Sequence, residues 1–237
     1  SETIWADKMF GTSDGQLDHY LAETTYNKYQ FTPITETSGT TNDGVVTVTM
    51  SGNHPDTRNG DVERYDCYAA AAITEADSHV NFAAYDNDSN DNLSVSELQV
   101  IFLVAGGESA TYCNPSCSPG GVWGMAAELL CDKNGNGSYE DVSGEHGITL
   151  DNVRILGKTS WGQNGFSQFG ERQGSSSINT WDATIGVMAH ELGHAYFGLP
   201  DLYDTRPSPI NSGIGAFGLM GGGVWGQKSS TEKGGAT

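Results

Sequence analysis

The run His190-Glu191-Leu192-Gly193-His194 holds three residues whose types and spacing can hydrolyse an amide. On a helix, His190 and His194 stand one turn apart, so both imidazoles leave the same face. Two ring nitrogens so placed can reach one zinc ion at ~2.0–2.1 Å. Zinc lowers the pKa of a bound water from ~15.7 to about 7. Glu191, beside the first ligand, is in place to take that water's proton and later hand it to a leaving amine. Five residues alone also recur by chance in unrelated proteins.

Two histidines do not complete a zinc site, and the chain after them supplies carboxylates. Metallopeptidases with a glycine after the second histidine turn sharply there and bring back a third ligand three residues later. Gly198-x-x-Asp201 has that local spacing. One residue more than in that pattern separates His194 from Gly198, so Asp201 and Asp204 both stand as the third ligand. The other would cap the turn or hold a histidine. Tyr203 and Tyr196 are candidates for a hydrogen bond to the oxyanion of a substrate. Met220, in a glycine-rich stretch running to Trp225, is either a methionine turn beneath the metal or an ordinary core residue.

Two further segments read as calcium loops. In residues 86–97, Asp86, Asp88 and Asn90 fall at loop positions 1, 3 and 5. Asn92 would offer its carbonyl at 7, and Glu97 stands at 12, which is the EF-hand ligand order. Asp91 replaces the usual glycine at position 6, where Asp tolerates the left-handed conformation better than most residues. The second candidate is Asp132, Asn134, Asn136 and Ser138 with Asp141 or Glu145 in place of the missing Glu at position 12. The alternative for each is a solvated acidic loop.

The elements that must position these groups are partly legible. Residues 182–197 read as a helix, with Thr180 or Asp182 as cap and Ile185, Met188, Ala189, Leu192 and Tyr196 as its apolar stripe. Gly193 costs such a helix ~1 kcal/mol relative to Ala, which implies close packing at that position. A helix is also expected within 1–31, capped by Ser13 or Asp14 with Leu17, Tyr20, Leu21 and Tyr26 on its apolar face, and another over 61–85. Strands are expected at 44–51, at 98–105 (buried) and at 152–156, with 157–180 irregular. The fold class is therefore α+β, with a mixed sheet and a loop-rich second half.

A chain of 237 residues suits a single domain, with an upper lobe over about 1–197 and a short lower lobe over about 198–237 that ends early. Eleven Lys+Arg against 30 Asp+Glu leave a net charge of −19. Such a surface repels nucleic acid and anionic membranes and tolerates hard cations. The longest apolar run, Val100–Ala105, is far short of the ~20 residues that span a bilayer. Cys67, Cys113, Cys117 and Cys131 read as two disulfides of unassigned pairing, hence an oxidising compartment. The expectation is a monomer, secreted after loss of a leader and a pro-segment.

HELGHAYFGLPDLYD followed by GIGAFGLMGGGVW resembles the immune inhibitor A family of secreted bacterial metallopeptidases. Upstream, LDHYLAETTYNKYQF and YDNDSNDNLSVSELQVIFLVAGGE resemble the family's early helix and its Asp-rich loop running into a core strand. The resemblance implies a zincin-like α+β fold, secretion as a precursor, and endopeptidase activity on protein or peptide substrates. Two other readings compete. One is a calcium-dependent binding module with a non-proteolytic zinc site, against which stands the retained Glu191. The other is a zinc hydrolase acting on non-peptide substrates.

Overall fold

Phe166 and Phe169 lie three residues apart on one strand and therefore point to opposite faces of its sheet. They join the two hydrophobic cores of the molecule. The computed structural model describes residues 1–51, 54, 65–109, 121–129, 148–155, 165–176, 179–206 and 211–226. Among them are helices α1 (Glu2–Phe10), α2 (Leu17–Thr24), α3 (Tyr65–Ala76) and α4 (Ile185–Ala195). The strands are β1 (Asn92–Leu93), β2 (Val100–Gly107), β3 (Met125–Ala127), β4 (Ile148–Leu150), β5 (Val153–Ile155), β6 (Phe166–Ser176) and β7 (Asn179–Asp182). The architecture is α+β with two mixed sheets.

β6 is the axis of the larger sheet. It pairs in parallel with β2, Val100 opposite Phe166, and antiparallel with β3, Ala127 opposite Phe166. Its far half pairs antiparallel with β7. On one side, Phe169 packs with Trp5, Leu17, Leu21 and the apolar residues of α4. On the other, Phe166 packs with α3 and with Leu93, Val153 and Ile155 of the small sheet, ordered β1-β5-β4. α4 is therefore buried on nearly all sides, which is why its sequence is apolar almost all round.

Several expectations are corrected. The irregular stretch expected over 157–180 contains β6 and the start of β7. Two of its buried side chains take partners from outside the strand: Gln168 Nε2 donates to the Trp123 carbonyl at 3.1 Å, and Gln173 Oε1 accepts from both the N–H and the hydroxyl of Thr184. The strand expected over 44–51 joins neither sheet. Backbone N–H groups at Val45 and Thr47 are taken by the side chains of Asp43 and Ser38 instead. The single early helix is two, with Gln16 at the start of the second, and Tyr26 lies beyond its end at φ +56° and 86 % exposed. The segment 98–105 forms β2 from Val100, half-buried because among the described residues it pairs on one side only. The helix over 61–85 spans Tyr65–Ala76, followed by a separate 3-10 turn at Phe82–Tyr85. Helix α4 starts at Ile185 after Thr184; Thr180 and Asp182 lie in β7. Cys67 is disulfide-bonded, whereas Cys113, Cys117 and Cys131 lie outside the described residues, as does the calcium candidate at 132–141.

Candidate active site

α4 delivers His190 and Glu191 to the wall of a cleft of about 770 Å³, with His194 one turn further along the helix. Each histidine is anchored through Nδ1. His190 bonds the Leu219 carbonyl at 2.9 Å, and His194 bonds the Leu199 carbonyl at 2.6 Å. A carbonyl only accepts, so each Nδ1 carries the proton and each Nε2 is left with a bare lone pair. The two Nε2 atoms lie 3.2 Å apart. Burial holds His190 below the usual imidazole range, with the Leu219 carbonyl acting in the opposite direction.

The chain then returns a carboxylate to the same point. Gly198, at φ +63°, closes a wide turn in which its N–H bonds the His194 carbonyl at 3.2 Å and the Leu199 N–H bonds the Gly193 carbonyl at 2.9 Å. The turn absorbs the extra residue after His194. Asp201 Oδ1 thereby lies 3.3 Å from His190 Nε2 and 3.2 Å from His194 Nε2. That oxygen is buried and accepts no well-formed hydrogen bond. Asp204 is brought elsewhere: it lines the cleft, but Arg206 grips its carboxylate at 2.7 and 2.5 Å.

Three lone-pair atoms 3.2–3.3 Å apart repel one another unless a cation lies among them. A tetrahedral ion with ligands at ~2.0–2.1 Å spaces those ligands about 3.3 Å apart. His190, His194 and Asp201 thus fit zinc in donor type, number and spacing.

Glu191 is buried beside them. Its carboxyl is pushed up to about 8, first by burial and then by the charges of Glu108 and Asp201, against a hydrogen bond from the Ala126 N–H. Of the two tyrosine candidates, Tyr203 lines the cleft, stacks near the His190 ring and hydrogen-bonds Asp201. Burial and the same Asp201 push its phenol up to about 12, so it stays a donor. Tyr196 packs against Tyr29 and Phe197 and is not among the cleft-lining residues. Met220 is buried under α4, and a Cβ at Gly193 would meet its Sδ at 2.6 Å. That contact explains the helical glycine.

The loop over 86–97 closes on itself. Asp86, Asp88 and Glu97 bring carboxylate oxygens within 4.8 Å of one another. Asp91 adopts the left-handed conformation expected of it, at φ +60°. Asn90 turns its side-chain oxygen to the Asn92 N–H instead, at 2.8 Å.

Sequence reasoning missed Glu108, the Ala126 N–H, and the two carbonyls that orient the histidines. Only Glu108 had any sequence signal, as the acidic residue ending the apolar run of β2. No helix among the described residues is long and apolar enough to cross a membrane. No curated protein and no solved structure compared with the chain matches it. Residues 133–237 match the family model of the immune inhibitor A peptidase M6 catalytic domain, a stretch containing α4, Asp201 and Met220 and so the motifs after residue 133 that carry the resemblance.

Proposed function

We propose that the chain is a secreted, zinc-dependent endopeptidase with a zincin-like catalytic domain. The reading rests on the convergence of His190 Nε2, His194 Nε2 and Asp201 Oδ1 beside the buried Glu191. The family match over the same residues supports it. Zinc held by His190, His194 and Asp201 would supply a Lewis acid for the peptide carbonyl and an acidified water. Glu191 accepts one proton and returns it to the leaving amine; the Ala126 N–H and the packing of α4 fix where its carboxylate points. Tyr203, held as a donor, is placed to bond a developing oxyanion at the cleft. The cleft accepts the protein or peptide substrate. Structural calcium at Asp86, Asp88 and Glu97 belongs to the same proposal, as do a monomeric state and disulfide pairing among the remaining cysteines.

The test is casein hydrolysis by the wild type and by Glu191→Ala, with zinc content measured in both. The expected result is zinc in both proteins and a loss of activity of about 10²-fold or more in the variant. Wild-type protein that holds zinc and cleaves no protein substrate overturns the proposal.

A further inference from the structure

One buried carboxylate of the cleft has no part in the chemistry described so far. Glu108 is 2 % exposed and lines the cleft. It directly follows β2, and its backbone is locked: its N–H bonds the Arg172 carbonyl at 2.7 Å, while Val122 bonds its neighbours Gly107 and Ser109 at 2.9 and 2.7 Å. Its Oε2 accepts the Gly170 N–H of β6 and its Oε1 the Gly124 N–H, each at 3.3 Å. One side chain thus ties the central strand of the sheet to the segment that leads into β3. A Cβ at Gly170 would lie 2.6 Å from the Glu108 backbone nitrogen, so glycine there is what lets β6 come this close.

The segment held by Glu108 is the wall beside the base. A Cβ at Gly124 would stand 2.7 Å from Val187 Cγ1 on α4, 3.3 Å from Glu108 Oε2 and 3.5 Å from Glu191 Oε1. The backbone here therefore lies directly on the part of α4 that carries Glu191. Two residues further on, the Ala126 N–H bonds the Glu191 carboxylate. One residue before, the Trp123 carbonyl accepts from Gln168 Nε2 at 3.1 Å. The Ala126 N–H meets Glu191 only while the backbone at Gly124 stays against the helix, and a charge-assisted bond from Glu108 holds it there. The direction of that bond is set by the second carboxylate oxygen, anchored on β6. Such distant support matters because a reacting group displaced by ~1 Å loses about 10²-fold in rate.

Resting on the peptidase reading above, we propose that Glu108 is a positioning residue, which fixes the segment Gly124–Ala126 and through the Ala126 N–H sets the direction of Glu191. Zinc-loaded wild type, Glu108→Gln and Glu108→Ala are compared on one internally quenched peptide, each also in a Glu191→Asp background. Gln keeps the length and one acceptor oxygen, and Ala keeps neither. With full zinc content and KM within about threefold of wild type, kcat falls about tenfold in Glu108→Gln and about 100-fold in Glu108→Ala. In the Glu191→Asp background the base is already displaced, so the same changes cost less than about threefold. Folded variants with wild-type kcat overturn the proposal. So does an equal loss in both backgrounds, which would mark a general loosening of the sheet. A Glu108→Gln as slow as Glu108→Ala also overturns it, because the loss would then follow the charge and not the hydrogen bonds. Should Glu108→Ala not fold, Glu108→Gln in the two backgrounds decides by the same comparison. Each of these reversals leaves casein cleavage by the wild type, and with it the peptidase reading, standing. A wild type that cleaves neither casein nor the peptide brings down both.

Discussion

Gly193→Ala tests the coupling between the helix and the turn beneath it. In an exposed helix this change would stabilise by ~1 kcal/mol through propensity alone. Here the new Cβ would stand 2.6 Å from Met220 Sδ, against ordinary contacts of 3.4 Å or more. Met220 must move by roughly 1 Å, and overpacking of that kind costs ~1–3 kcal/mol. The expected net effect is destabilisation of about 0–2 kcal/mol, read by urea denaturation of the zinc-loaded protein. A functional effect follows from the chain path. The Leu219 carbonyl, one residue before Met220, orients His190 at 2.9 Å, and a shift of ~1 Å breaks that bond. Zinc affinity should fall by about 10–100-fold, the usual effect of losing a group that orients a ligand. The double variant Gly193→Ala/Met220→Ala removes the clash, so the two changes should couple favourably by about 1–2 kcal/mol. A single variant that gains ~1 kcal/mol and binds zinc as tightly as wild type refutes the idea that this glycine exists for the methionine.

Two further outcomes follow from the same geometry. Asp201→Ala should leave the protein folded but lower its zinc affinity by more than 100-fold, while Asp204→Ala should retain stoichiometric zinc, measured by competition with a chromophoric chelator; the reverse pattern would exchange the two aspartates. Glu97 is held below the usual carboxylate range: burial is the largest single influence and raises it, but hydrogen bonds from Ser94, Asn87 and Asp88 together outweigh that. Its contribution to stability is therefore present above the unfolded value of ~4.3 and lost as pH falls through the lower folded value. In chelator, Glu97→Gln should melt below wild type at pH 7 and match it at low pH; with calcium added, wild type alone should gain melting temperature.

The zinc helix was legible because its information is local. Two histidines four residues apart share a face through the helical period, whatever surrounds them. Gly198 likewise announced a turn, and its φ of +63° bears that out. The choice between Asp201 and Asp204 was not local. It depends on how a turn one residue wider than usual is closed by hydrogen bonds back to His194 and Gly193, and on Arg206 engaging Asp204. β6 was missed for a related reason: its serine, glutamines and glycines read as loop. The strand is supported by groups outside it, since Trp123 and Thr184 bond its buried glutamines, and Gly170 lets the segment after β2 approach.

The amino-acid sequence by itself determined which residues can do the chemistry, namely two imidazoles and a carboxylate on one turn of helix, with a small set of candidate acids behind them. Only the tertiary structure decided which acid converges on the imidazoles, which carbonyls set their tautomers, and that Glu108 enters the cleft. Helical spacing follows from the backbone period alone, whereas each of these results from chain segments far apart in sequence closing on one another.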